Sequence, residues 1–145
     1  RQMKTTLIAL LALGLCLPLA GAEKDKPAPK QTLCPLMVDT EIDEEEFIIY
    51  RGVKVFMCCG SCKKIWRQNP DYFALVGTKQ ASQLKAVASK TIKPMRQLFC
   101  PVYTDTRVHP KSPSIEYKGN TIYLSKARAV TRFKANPAKY EKNLK

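Results

Sequence analysis

Two stretches of this chain repeat one another, and that duplication constrains the fold more than any other feature. Cys34-Pro35-Leu36-Met37 returns 66 residues later as Cys100-Pro101-Val102-Tyr103, and Asp39-Thr40 returns as Asp105-Thr106. One extra residue then shifts the offset to 67. Tyr50-Arg51-Gly52 matches Tyr117-Lys118-Gly119, Val55-Phe56-Met57 matches Ile122-Tyr123-Leu124, Trp66 matches Phe133, and Asn69-Pro70 matches Asn136-Pro137. Each repeat therefore carries its own turn, core and stop positions. Units of roughly 40–50 residues bury little apolar surface, and they fold only with a staple, a metal ion or a neighbour to pack on.

Within each repeat the pattern predicts a β-hairpin followed by a helix. Phe47-Ile48-Ile49-Tyr50 and Lys54-Val55-Phe56-Met57 are β-branched and aromatic runs flanking Arg51-Gly52-Val53, a glycine turn. Ile115-Glu116-Tyr117 and Thr121-Ile122-Tyr123-Leu124 flank Lys118-Gly119-Asn120 in the same way. Helices are expected over Ser61 to Gln68 and Ser125 to Ala135, each starting near a serine and stopped by Asn-Pro. Between the repeats, Leu84, Val87, Thr91 and Ile92 recur at approximate helical spacing, which predicts an amphipathic helix from Thr78 to Lys93 that ends at Pro94 and packs between the modules. Trp66, Phe133, Tyr117 and Tyr123 lie on the apolar pattern of their elements and read as core.

The first 22 residues read as a secretory signal. Arg1 and Lys4 precede an apolar run from Leu7 to Leu19, and Ala20-Gly21-Ala22 offers small residues for cleavage. That run is too short to span a bilayer, which takes about 20 residues. Residues 23–31, charged and rich in proline, are expected to be disordered. The organisation that follows is a signal over 1–22, a disordered linker over 23–31, a first module over 32–77, a helical linker over 78–97 and a second module over 98–145. The expected location is periplasmic or secreted, with no membrane span in the mature chain.

Charge separates the two repeats. Residues 31–77 hold five Lys/Arg against seven Asp/Glu, whereas residues 78–145 hold fifteen against three. A basic half can attract nucleic acid or anionic lipid. It lacks the aromatic-interleaved basic motifs of nucleic-acid readers, so no nucleic-acid partner is expected. The acidic run Glu44-Glu45-Glu46, with Asp39, Glu41 and Asp43 nearby, lacks the glycine and alternating ligands of a calcium loop and reads as a solvated loop face.

The chemistry concentrates in the first repeat. Leaving out Cys16, in the leader, five cysteines remain, and four of them are Cys34, Cys58, Cys59 and Cys62. Cys34 sits in a Cys-Pro turn before the hairpin, and Cys58-Cys59-Gly60-Ser61-Cys62 spans the junction of second strand and helix, so the hairpin brings the two regions together. Such an arrangement can aim several sulfurs at one thiophilic ion. Neighbouring strand residues face opposite ways. Cys58 and Cys59 can therefore share an ion only if the strand ends before them, which ranks Cys34 and Cys62 first. The second repeat replaces the last three with Ser125, Lys126 and Ala129 and keeps only Cys100 in register. His109, the sole histidine, has no ligand-spacing motif around it and reads as a loop residue beside Pro110.

The runs L-C-P-L-M, Y-R-G-V-K-V-F-M-C-C-G-S-C-K-K-I-W and N-P-D-Y-F resemble a YHS/TRASH domain over about residues 32–75. The second copy, with L-F-C-P-V-Y, E-Y-K-G-N-T-I-Y-L-S-K-A-R-A-V-T-R-F and N-P-A-K-Y, is similar over about 98–142. The resemblance implies an α+β architecture of two small β-hairpin-plus-helix modules, zinc-ribbon-like, joined by a helical linker. It also implies that Cys34, Cys58 and Cys62, with Cys59 in the doubled position, are ligands for copper or zinc, and that the chain works beside a metal transporter or another envelope protein.

Two rival classes stay open on the sequence. In an oxidising compartment the four cysteines could pair as disulfides that staple a structural or interaction module, leaving Cys100 odd. Cys59-Gly60-Ser61-Cys62 also matches the Cys-x-x-Cys of a thiol-disulfide oxidoreductase, although the βαβ frame of those enzymes is missing. With one histidine and no Ser/His/Asp set, phosphate loop or carboxylate pair, no enzyme is expected.

Overall fold

The computed structural model describes residues 31–144. The expected leader, and the expected disordered stretch apart from Gln31, lie outside the described residues. Two α+β modules are seen. The first has strands β1 (Asp43–Tyr50) and β2 (Val53–Met57) and helices α1 (Gly60–Trp66) and α2 (Pro70–Val76). The second has β3 (Ser114–Tyr117), β4 (Asn120–Tyr123), α3 (Ala127–Ala135) and α4 (Pro137–Glu141). Both sheets are two-stranded antiparallel hairpins, an element that is marginal without a helix against it.

The duplication extends to backbone angles. Arg51 and Gly52 have φ of 48° and 80°, and Lys118 and Gly119 have 49° and 75°. Two successive positive φ values match the twist of a tight hairpin, and glycine meets the second at no steric cost. Each core stacks three rings. Tyr50 meets Trp66 edge-on at 5.7 Å and Trp66 stacks on Phe73 at 6.1 Å. Tyr117 meets Phe133 at 5.4 Å, and Phe133 stacks on Tyr140 at 6.1 Å.

Several expectations need correction. Asn-Pro does follow the ends of the two expected helices, α1 and α3, but each module then continues with a helix that was not expected. Asn69 and Asn136 leave the helical region at φ −157° and −153°, and each then serves as N-cap for a second short helix with proline in its first turn, where a missing N–H costs nothing. The acidic run Glu44–Glu46 belongs to β1, with a register shift between Asp43 and Phe47, and Glu46 is 2.7 Å from Lys63 of α1. Of the helix expected from Thr78 to Lys93, the structure has a single 3-10 turn, Ser82–Ala86. Tertiary contacts override its periodicity there: Leu84 is buried in the first core, and Gln83 donates to Gln31 Oε1 and to the Lys54 carbonyl. Gln31, expected to be disordered, is itself buried.

Gln31 belongs to a clamp that both modules share. Its amide donates to the carbonyls of Leu33 and Phe56 at 3.0 and 2.7 Å and accepts the Phe56 N–H at 3.0 Å. Gln97 does the same with Phe99, Tyr123 and the Tyr123 N–H at 2.9, 2.7 and 2.9 Å. A glutamine three residues before the Cys-Pro turn thus ties that turn's lead-in to the hairpin.

The modules join along the turn after Cys34. Met37 pairs with Thr106 in an antiparallel bridge, Val38 N–H donates to the Asp105 carbonyl at 3.0 Å, and Arg107 N–H donates to the Leu36 carbonyl at 2.9 Å. The Arg107 side chain, buried and lying over the Phe99 ring, donates through Nε to the Pro35 carbonyl at 2.9 Å and through its fork to Gln80 Oε1 at 3.1 Å. His109 is buried rather than a free loop residue. Its Nδ1 accepts the Lys111 N–H at 3.4 Å, Nε2 lies 3.1 Å from Gln68 Oε1, and the ring packs edge-on to Phe73. Accepting at Nδ1 places the proton on Nε2 and keeps the ring neutral.

Two predictions follow from these contacts. Gln97→Leu leaves the Tyr123 N–H without its partner and should cost about 1–3 kcal/mol of unfolding free energy, read by urea denaturation; no measurable loss contradicts the clamp. Burial, aided by Lys111, holds the His109 pKa below its usual value. Its contribution is therefore present in full above about pH 6.5 and is lost as pH falls through the lowered value. Acidifying from about pH 7.5 to about 5.5 should destabilise the wild-type chain more than His109→Gln, and equal slopes contradict the assignment.

Candidate metal centre

The first module brings four cysteines to one place through three local features. Strand β2 ends at Met57, so Cys58 and Cys59 lie in a bend beyond the ladder and escape the alternation that would face them apart. Cys59 is the extended N-cap of α1, and Cys62 faces inward one turn later. On the other side, Cys34 N–H donates to the Thr40 carbonyl at 2.9 Å, closing the Cys-Pro turn. That turn packs hard on the end of α2. A Cβ at Gly77 would come within 2.7 Å of the Phe73 carbonyl and 2.8 Å of Pro35 Cβ, so only glycine fits.

The Sγ atoms of Cys34, Cys58 and Cys62 all lie within 4.8 Å of one another. Cys58 and Cys62 are 3.5 Å apart, and Cys59 Sγ is 3.8 Å from Cys58 Sγ and 3.7 Å from Cys62 Sγ. Sulfurs at the corners of a tetrahedron around an ion with metal–sulfur bonds of about 2.3 Å sit about 3.8 Å apart. Cys58, Cys59 and Cys62 already stand near that spacing. Cys34 and Cys62 are buried, whereas Cys58 and Cys59 are partly open. Of the expected set, Cys34, Cys58 and Cys62 form the mutually close group, Cys59 lies beside Cys58 and Cys62, and Met37 Sδ lies 3.7 Å from Cys58 Sγ.

The thiols differ in how readily they ionise. The hydrogen bond from Cys62, helped by backbone groups at Leu36, Met37 and Cys58, outweighs burial and lowers the Cys34 pKa to about 5. Donating that proton pushes Cys62 strongly upward, with burial adding to it. Burial and the charge on Cys34 raise Cys58 to about 12. At Cys59, burial is offset by the Ser61 hydroxyl at 2.9 Å and by the Cys62 N–H, and its pKa is lowered. The centre thus favours negative charge at Cys34 and Cys59 and disfavours it at Cys58 and Cys62.

The second module keeps the frame and only one of the sulfurs. Cys100 is buried in register with Cys34, and its N–H donates to the Thr106 carbonyl at 2.9 Å, as in the first turn. Lys126 takes the extended N-cap position of Cys59, and Ala129 fills the core position of Cys62. Ser125, in place of Cys58, has a buried hydroxyl with no hydrogen-bond partner among the described residues. His109 turns toward the first module, its ring against Phe73 and Gln68. No helix among the described residues is long and apolar enough to cross a membrane.

No protein-family model matches this chain, and no curated protein or solved structure does. The centre therefore stands on its own geometry: a Cys34, Cys58 and Cys62 cluster, buried at Cys34 and Cys62, that forms a plausible metal-ligating site.

A ligand thiol must lose its proton. Loading an ion at about pH 7.5 should therefore release protons, chiefly from Cys58 and Cys62, whose pKa values are raised. Apparent affinity should rise with pH across the neutral range. Titration in weak buffer with a pH indicator reads the release, and pH-independent loading contradicts this protonation pattern.

Proposed function

We propose that this chain is an exported, non-enzymatic soft-metal-binding protein of the YHS/TRASH type, holding one copper or zinc ion on Cys34, Cys58, Cys59 and Cys62. The observation that carries this is the convergence of Cys58, Cys59 and Cys62 at 3.5–3.8 Å spacings, with Cys34 Sγ within 4.8 Å of the sulfurs of Cys58 and Cys62. Thiolate-rich sites select zinc and Cu(I) over hard cations such as magnesium or calcium. Four thiolates suit tetrahedral zinc, and two or three suit Cu(I).

In this reading the second module is a support that has given up its own site. Its residues 105–107 hold the Cys34 turn, and its basic surface is the side from which a metal transporter or another envelope protein is met. Export follows from the charged and apolar pattern of residues 1–22. An oxidoreductase is disfavoured by the surroundings of Cys59 and Cys62, since the two share their cluster with two further sulfurs.

Elemental analysis of protein purified without chelator, beside a Cys34→Ser/Cys62→Ser variant, tests the proposal. About one copper or zinc per chain is expected in the wild type, falling below about a tenth in the variant. Metal-free wild-type protein with its thiols locked as disulfides would replace this reading with a stapled scaffold.

A further inference from the structure

The fifth sulfur of the cluster sits on the turn that the second module holds. Met37 follows Cys34 by three residues, and its Sδ is 3.7 Å from Cys58 Sγ, the same separation that the thiols keep among themselves. Met37 is half-buried, and its backbone is held on both sides. It pairs with Thr106, its carbonyl accepts the Thr40 N–H at 2.9 Å, and the next residue donates to Asp105. The thioether is thereby placed by the fold beside the partly open edge of the centre.

The repeat supplies an independent comparison. Where the second module carries Ser125, Lys126 and Ala129 for the three later cysteines, it carries Tyr103 for Met37. The frame of that turn is unchanged, with the Thr106 N–H donating to the Tyr103 carbonyl at 2.9 Å. Backbone geometry therefore does not require methionine there. The Tyr103 ring instead receives the Lys126 ammonium at 4.5 Å and Arg132 at 5.5 Å, two cations at the edge where the first module has sulfur. The thioether is absent from the copy that lacks three of the four thiols.

We propose that Met37 is a ligand for a soft monovalent ion, Cu(I), at this centre and a bystander when Zn(II) is held. The proposal rests on the thiolate centre described above. Zinc is satisfied by four thiolates, and a thioether adds little to it. Cu(I) accepts thioether sulfur readily and needs fewer ligands. Charge points the same way: four thiolates around a monovalent ion leave one more negative charge than around a divalent one, and excess charge in a half-buried site is costly. A neutral thioether completes the Cu(I) shell without adding charge or needing to lose a proton.

The test compares the full wild-type chain with Met37→Leu, which nearly conserves volume, in anaerobic competition titrations. Bathocuproine disulfonate competes for Cu(I), and a chromophoric chelator competes for Zn(II). Cu(I) affinity should fall by about tenfold or more in the variant, with Zn(II) affinity unchanged within about twofold. Equal Cu(I) affinities, or a parallel fall for both ions, overturn the role of Met37 while leaving the thiolate centre in place. A wild-type chain that takes neither ion overturns the centre itself, and Met37 with it. A second readout is independent of the variant's fold. In wild-type protein labelled at methionine methyls, the Met37 signal should move several-fold further on adding Cu(I) than on adding Zn(II), and equal movement with the two ions refutes the proposal.

Discussion

The backbone pairing between the turn after Cys34 and residues 105–107 is the contact on which the rest of this molecule depends. A two-stranded hairpin with short helices has little to hold a Cys-Pro turn against it, and the turn carries the residues that complete the centre. Arg107 adds a buried guanidinium aimed at the Pro35 carbonyl. A buried arginine is expensive unless its N–H groups are hydrogen-bonded. Here it gives Nε to one module's backbone and its fork to Gln80, so its burial is compensated only while the modules stay together. The second copy thus works as scaffold for the first.

The protonation pattern follows from the same packing. Burial raises the energy of a thiolate at each of Cys34, Cys58 and Cys62, and at Cys34 neighbouring donors outweigh it. Cys58, Cys59, Cys62 and Met37 form a short chain of sulfur contacts beside Cys34. An incoming cation replaces the thiol protons, which makes sulfur spacing and proton release two faces of one design. Organised spacing reduces the ordering that binding would otherwise require.

Much of this was legible in the sequence because a duplication reports which positions matter physically. The hairpin turns, the Trp66 and Phe133 cores and the clustering of Cys34, Cys58, Cys59 and Cys62 are set by local pattern and by the reach of a hairpin. What escaped was set by partners far along the chain. The 78–93 segment has helical spacing, yet Leu84 and Gln83 are captured by the first core and by Gln31. His109 sits in a loop whose ring is buried by the other module. The helices after Asn69 and Asn136 had a signal, asparagine followed by proline, that was read only as a stop. Gln31 and Gln97 also had one, a glutamine three residues before each Cys-Pro turn. Met37 shows its chemistry only once folding sets it beside Cys58.

The central claim is that sulfur from the first module surrounds a single ion. X-ray absorption at the edge of the bound metal, on protein loaded with one equivalent, tests it most directly. The account predicts a first shell of sulfur alone at about 2.3 Å. A shell dominated by nitrogen or oxygen would place the ion elsewhere and contradict it.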